Sequence, residues 1–334
     1  MSFDAYSPVT SDSSNKKEVD YAALNQYVVE TANLQERETL VGVVAGIVDL
    51  GTQEQPDAEV VFTGDEDDEA AEIKKNPNTY FKDGFDPNSR KPARLKCWPQ
   101  KPIQSVAVAV DFPEIEIDKG QFFGNSNPQP LRLWLGGTFF IEGKGMVVAR
   151  PTPLKVVNID KDAPKPKWSF SPLHLFYKMA VAAKLIKSGE VFLPNSIDQL
   201  VGKAFQFEAQ VFFKEVKGKQ YFTEYVKFVG GLGRGQSAPE LENTFLIQFN
   251  HNNSPEDIKQ LRNHVINTIK SAKNYQESAI KKQIENSSSS GDAAEDQEAE
   301  ESPKETKTVK QVKEQKVYKK AVPALDEDDS DDPF

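Results

Sequence analysis

Residues 39–51, TLVGVVAGIVDLG, are the stretch on which the fold turns. β-Branched residues dominate it, which favours a strand, and Gly42 and Gly46 interrupt it where a strand can coil sharply or bulge. The reading is therefore one long strand that bends. AEVVF (58–62) offers a hairpin partner. Upstream, YAALNQYVVETANLQER (21–37) spaces Leu24, Val28 and Leu34 along one loose helical face.

Downstream, residues 63–104 are rich in turn formers and read as a long insertion. SVAVAVDF (105–112) resumes as a strand, with Val106, Val108 and Val110 on one face and small residues on the other. In PLRLWLGGTFFI (130–141), Leu131, Leu133 and Leu135 point one way, Arg132 and Trp134 the other. Residues 169–189 predict a helix, with Ser171 as N-cap, Pro172 in the first turn and Gly189 as the stop. KAFQFEAQVFFKEVKGKQYFTEYVKFVGG (203–231) predicts a hairpin turning around Gly218, with Phe205, Phe207, Ala209, Val211 and Phe213 on one face. Residues 254–286 predict a last helix opening at Ser254 and Pro255. Bent strand, further strands, helix and hairpin follow one another in the order of an OB-fold, a small Greek-key β-barrel. The fold class expected is thus mainly β with α elements: an elaborated OB-fold over residues 19–285, with a disordered N-terminus (1–18) and a disordered acidic tail (286–334).

The net charge of −10 is unevenly spread. Residues 286–334 hold 14 acids and 7 lysines, a net of −7, which leaves −3 for the rest. The chain carries no apolar run of membrane-spanning length and opens on a polar segment. Its single cysteine, Cys97, fits a reducing compartment. A cytoplasmic protein without a membrane role is expected. Enzyme motifs fail in detail: Gly137 and Gly143 are one residue too far apart for a phosphate loop, and Gly145 stands where a Ser or Thr should bind magnesium. The acidic run Asp65–Glu69 reads as a solvated loop. Three histidines and one cysteine, widely scattered, make a zinc site improbable. No catalysis, no metal and no cofactor are expected.

Three places combine cations with aromatics. The insertion holds Arg90, Lys91, Arg94, Lys96, Trp98 and Lys101; the 130–141 strand sets Arg132 beside Trp134; the hairpin carries Lys214, Lys217, Lys219, Tyr221, Tyr225 and Lys227, followed by Arg234 in a Gly-rich loop. Cations neutralise phosphates and aromatic faces accept unstacked bases, so these residues are candidates for contact with single-stranded DNA. Each patch also has a plain reading: Trp134 in the core, Trp98 in a satellite core, and the hairpin lysines as a solvated edge.

The chain finishes DEDDSDDPF (326–334), six acids closed by an aromatic. Asp331, Asp332, Pro333 and Phe334 resemble the acidic tip of bacterial and phage single-stranded DNA-binding proteins, although the isoleucine of the bacterial tip is missing. The resemblance implies an OB-fold core that coats single-stranded DNA without sequence preference during replication, recombination and repair. It also implies a tip that docks replication, recombination or transcription proteins. The alternatives are an accessory protein acting through protein contacts and, less favoured, a metal-dependent nuclease.

Overall fold

The computed structural model describes residues 19–86, 89–124, 126–136, 138–141, 145–148, 151–160, 162, 164–216 and 218–289. Lys217, the N-terminal segment 1–18 and the tail residues 290–334, with Asp331, Asp332, Pro333 and Phe334, lie outside the described residues.

Helix α1 (Tyr21–Ala32) leads into the bent strand β1 (Glu38–Gln53). β2 (Ala58–Phe62), α2 (Glu66–Lys75), β3 (Tyr80–Phe85) and β4 (Pro92–Trp98) form a satellite unit. β5 (Ile103–Ile117), the short α3 (Gly120–Phe123) and β6 (Gln129–Trp134) follow. Five short strands come next: β7 (Thr138–Ile141), β8 (Gly145–Val148), β9 (Thr152–Pro153), β10 (Val156–Asn158) and β11 (Trp168–Phe170). Then come α4 (Leu175–Ala182), a 3-10 helix (Pro194–Leu200), β12 (Ala204–Val216), β13 (Lys219–Gly230) and β14 (Phe245–Ile247). The described chain closes with α5 (Pro255–Ile258), α6 (Asn263–Lys270), a 3-10 turn (Tyr275–Glu277) and α7 (Ala279–Ser289).

β1 organises the main sheet by serving two ladders. Its first half, Glu38–Val43, pairs antiparallel with β12; from Val43 to Gln53 it pairs with β5, with a register shift between Val44 and Gly46. On the edge that β12 vacates, Gly46–Val48 pair in parallel with β14. Gly46 allows this, because a Cβ there would run into the Phe245 ring. Alternation along the strands then feeds two cores on opposite faces. Val106, Val108, Val110, Leu131, Leu133, Phe205 and Phe207 pack with α1 and α4 on one side. Ala107, Ala109 and Trp134 pack on the other with β14 and Ile258, Val265, Ile269, Ile280 and Ile284 of α5, α6 and α7.

The sheet is open. Its path runs β13-β12-β1-β5-β6, with β14 beside β1 and β9 beside β5; β2-β4-β3, β7-β8 and β10-β11 are separate sheets. Among the described residues no ladder joins β13 to β6. This overturns the elaborated OB-fold, since a Greek-key barrel is made by closing the sheet on itself. The architecture is mixed α/β with several open sheets. The two end strands do approach within 8 Å, Cα to Cα. What spans them is a side chain: Arg262, the N-cap of α6, lies 3.5 Å from Glu224 of β13 and donates to the Arg132 carbonyl of β6 at 3.2 Å.

Local differences have local causes. AEVVF pairs with β4 rather than with β1. The acidic run expected as a loop begins α2: Asp65 caps it in a reciprocal box with Asp68, and acids fill the first turn while Lys74 and Lys75 fill the last, as the helix dipole favours. The helix expected over 169–189 shortens to α4, because Ser171 is spent on a tight turn and His174 Nδ1 accepts from the Phe176 N–H. The expected single C-terminal helix is broken where Arg262 and Ser278 adopt extended backbone.

Candidate functional site

The basic–aromatic candidates are largely consumed by the fold. In the satellite, the Arg94 guanidinium grips Glu69 of α2 through Nε and Nη2 (2.7 and 3.1 Å) and Asp83 through Nη1 (3.0 Å). Lys96 pairs with Glu72 of α2 and stands 5.6 Å from the centroid of the half-buried Trp98 ring. Lys75 and Lys96 hold the Glu72 carboxyl down to about 2 through their hydrogen bonds. Arg90 and Lys91 occupy the exposed turn between β3 and β4, and Lys101 the exposed link into β5.

On the main sheet, Arg132 lies directly across the ladder from Asp111 and binds it through two N–H groups at 2.7 and 2.9 Å. It also donates to Gln260 and lies over Phe245, while Asp111 is 3 % exposed. Trp134 is fully buried, edge-on to His264, and its indole N–H has no hydrogen-bond partner among the described residues. On the hairpin, Tyr225 lies under the Arg37 guanidinium. Lys227 pairs across the ladder with Glu208, Tyr221 is half-buried, and Lys214, Lys219 and Arg234 are exposed.

These placements correct the expectation of a protein that coats single-stranded DNA. It rested on three basic–aromatic patches carried by one barrel-like chain, Arg132 and Trp134 forming one of them. The barrel is not closed, Trp134 is in the core, and Arg132 is locked to a buried carboxylate. The resemblance carried by the acidic tip falls with the fold it implied.

The described residues instead form a cleft of about 380 Å³ that the sequence did not reveal. It opens where the far end of β1 (Ile47, Asp49) meets the start of β5 (Gln104, Val106), the 3-10 helix (Pro194–Asp198), and β14 with the turn after it (Leu246, Gln248, His251). That volume is within the range of small-ligand sites. Asp49 is its chemical centre. The strand bulges at Gly51, between the registers of Asp49 and Thr52; a φ of +74° suits glycine there, and the Gly51 N–H donates to Asp49 Oδ1 at 2.9 Å. The Gln104 amide donates to Oδ2 at 2.7 Å. Burial pushes the Asp49 carboxyl above its ordinary range, partly offset by the bonds from Gly51, Gln104 and the Phe249 backbone and by the charge of His251. Only one signal in the sequence pointed here: an aspartate closing a long apolar run, two residues before a glycine.

Among the described residues no group of three or more His, Cys, Asp or Glu is gathered to hold a metal, and no helix is long and apolar enough to cross a membrane. Comparison of the chain with protein-family models, with curated proteins and with solved structures found no match.

Proposed function

We propose that this chain is a ligand-binding protein rather than an enzyme, and that the cleft around Asp49 is its binding site. The observation that carries this reading is a sheltered carboxylate, clamped by a backbone N–H and a glutamine amide, set among polar side chains above an aliphatic floor. A fixed, poorly solvated polar group in a concavity is how proteins orient small ligands. Both Asp49 oxygens already accept internal bonds, which suits a stationary charge better than a base that must take up and release a proton. The cytoplasm is the proposed place of action: Cys97 is a buried free thiol whose pKa is raised by burial, the inert form that a reducing compartment preserves.

The test is amide NMR of the full chain against small fragments of positive, neutral and negative charge, with the fragments followed in the same tubes. The reading expects saturable shifts gathered on Gly51, Gln104, Ile197 and His251, and unaltered fragments. Shifts scattered over the surface would remove the cleft as a site, and conversion of a bound fragment would make the protein an enzyme.

A further inference from the structure

Resting on the reading of the cleft as a ligand site, we infer that it takes a cation on an aliphatic stem, an alkylammonium or alkylguanidinium group, with Asp49 and Asp198 receiving the charge. Among the lining residues the carboxylates are Asp49 and Asp198, none is a lysine or arginine, and His251 is the one basic side chain. The two carboxylates outnumber it, so an anion meets more like charge there than a cation does. Ile47, Val106, Leu154, Ile197 and Leu246 supply aliphatic wall, the environment along which a methylene stem packs while its head seeks a polar group.

Asp49 can receive a further donor. Gly51 and Gln104 supply two hydrogen bonds, and an ionised carboxylate offers roughly four acceptor sites. Acceptor capacity therefore remains. The two internal donors fix the carboxylate before the ligand arrives, so binding need not order it. Asp198, on the exposed side of the 3-10 helix, places the second carboxylate nearer solvent.

Two sources carry this chemistry, a lysine or arginine side chain of a polypeptide and a free alkylamine. The experiment titrates the labelled full chain with agmatine, with arginine capped at both ends, with pentanol and with pentanoate. The expected result is saturable shifts on the cleft amides for the two cations, with pentanol weaker and pentanoate inert. Tighter binding of the capped arginine would assign a polypeptide side chain; tighter binding of agmatine would assign a free amine; either supports the inference.

Asp198→Asn should weaken the cations about threefold or more. Asp49→Asn should weaken them further, and because Asp49 also braces the bulge at Gly51, Ile197→Trp serves as an independent way to fill the cleft and abolish binding. Pentanol or pentanoate shifting the cleft amides as strongly as the cations would overturn the cationic assignment while leaving the cleft a ligand site. No cleft shift with any of the four would overturn both.

Discussion

Two regions of this molecule answer the same sequence pattern, a cation beside an aromatic, in different ways. In the satellite, Arg94 and Lys96 are partnered at the surface by Glu69 and Glu72, contributed by a helix two elements earlier in the chain. Between the ends of the main sheet, Arg132 and Arg262 are drawn inward to Asp111 and Glu224, which are 3 % and 5 % exposed. The first arrangement trims the charge of a surface. The second holds helices α5 and α6 against a sheet whose terminal strands do not pair. Residue type alone does not separate the two; solvent does, because a buried carboxylate depends on its partner far more than an exposed one.

The largest effect expected from breaking this comparison is at Arg132. Arg132→Met leaves Asp111 buried without its cation and should cost about 3–5 kcal/mol in urea unfolding. Adding Asp111→Leu should restore much of the loss, because both charges are then gone.

His264, against Trp134 in the second core, gives the next effect. Burial, and then the Arg262 charge, lowers its pKa to about 3. The unfolded chain therefore takes up a proton below about 6.5 that the folded chain refuses. The associated stability is present in full above pH 6.5 and drains as the pH falls toward 3, by up to ~4 kcal/mol. Replacing His264 with leucine should flatten that part of a plot of melting temperature against pH.

Smaller effects belong to the satellite. Leu95 is 2 % exposed and its side chain lies against the Gly84 backbone, so Leu95→Ala should cost about 2–3 kcal/mol. The loss should show as faster amide exchange over residues 58–98, with β1 and β5 still protected. Smallest is Glu72→Gln, which frees Lys75 and Lys96 at the surface and should leave the main unfolding transition where it is. A shift there comparable to that of Arg132→Met would erase the distinction between the regions.

Much of the local structure was legible because period decides burial. The irregularity at Gly46 follows from its glycine, and the alternation of Val106, Val108 and Val110, the two-faced strand at Arg132 and the Phe-rich hairpin follow from residues facing alternate sides of a sheet. Closure was not legible, because it depends on whether β13 and β6 share a ladder, a contact between residues some ninety positions apart that no local pattern encodes. The roles of Arg132 and Arg94 were illegible for the same reason: Asp111 and Glu69 stand 21 and 25 residues away. The cleft is harder still, since Asp49, Gln104, Asp198 and His251 come from four separated segments and none belongs to a motif.

The most direct measurement is a carbon-detected titration of the Asp49 side-chain carboxyl in the full chain, free and with saturating agmatine. The free carboxyl should titrate above the ordinary aspartate value of 3.8. Its pKa should drop on addition of the amine, because a bound cation favours the ionised form. An Asp49 carboxyl that titrates at its ordinary value and ignores the amine would contradict the account of the cleft.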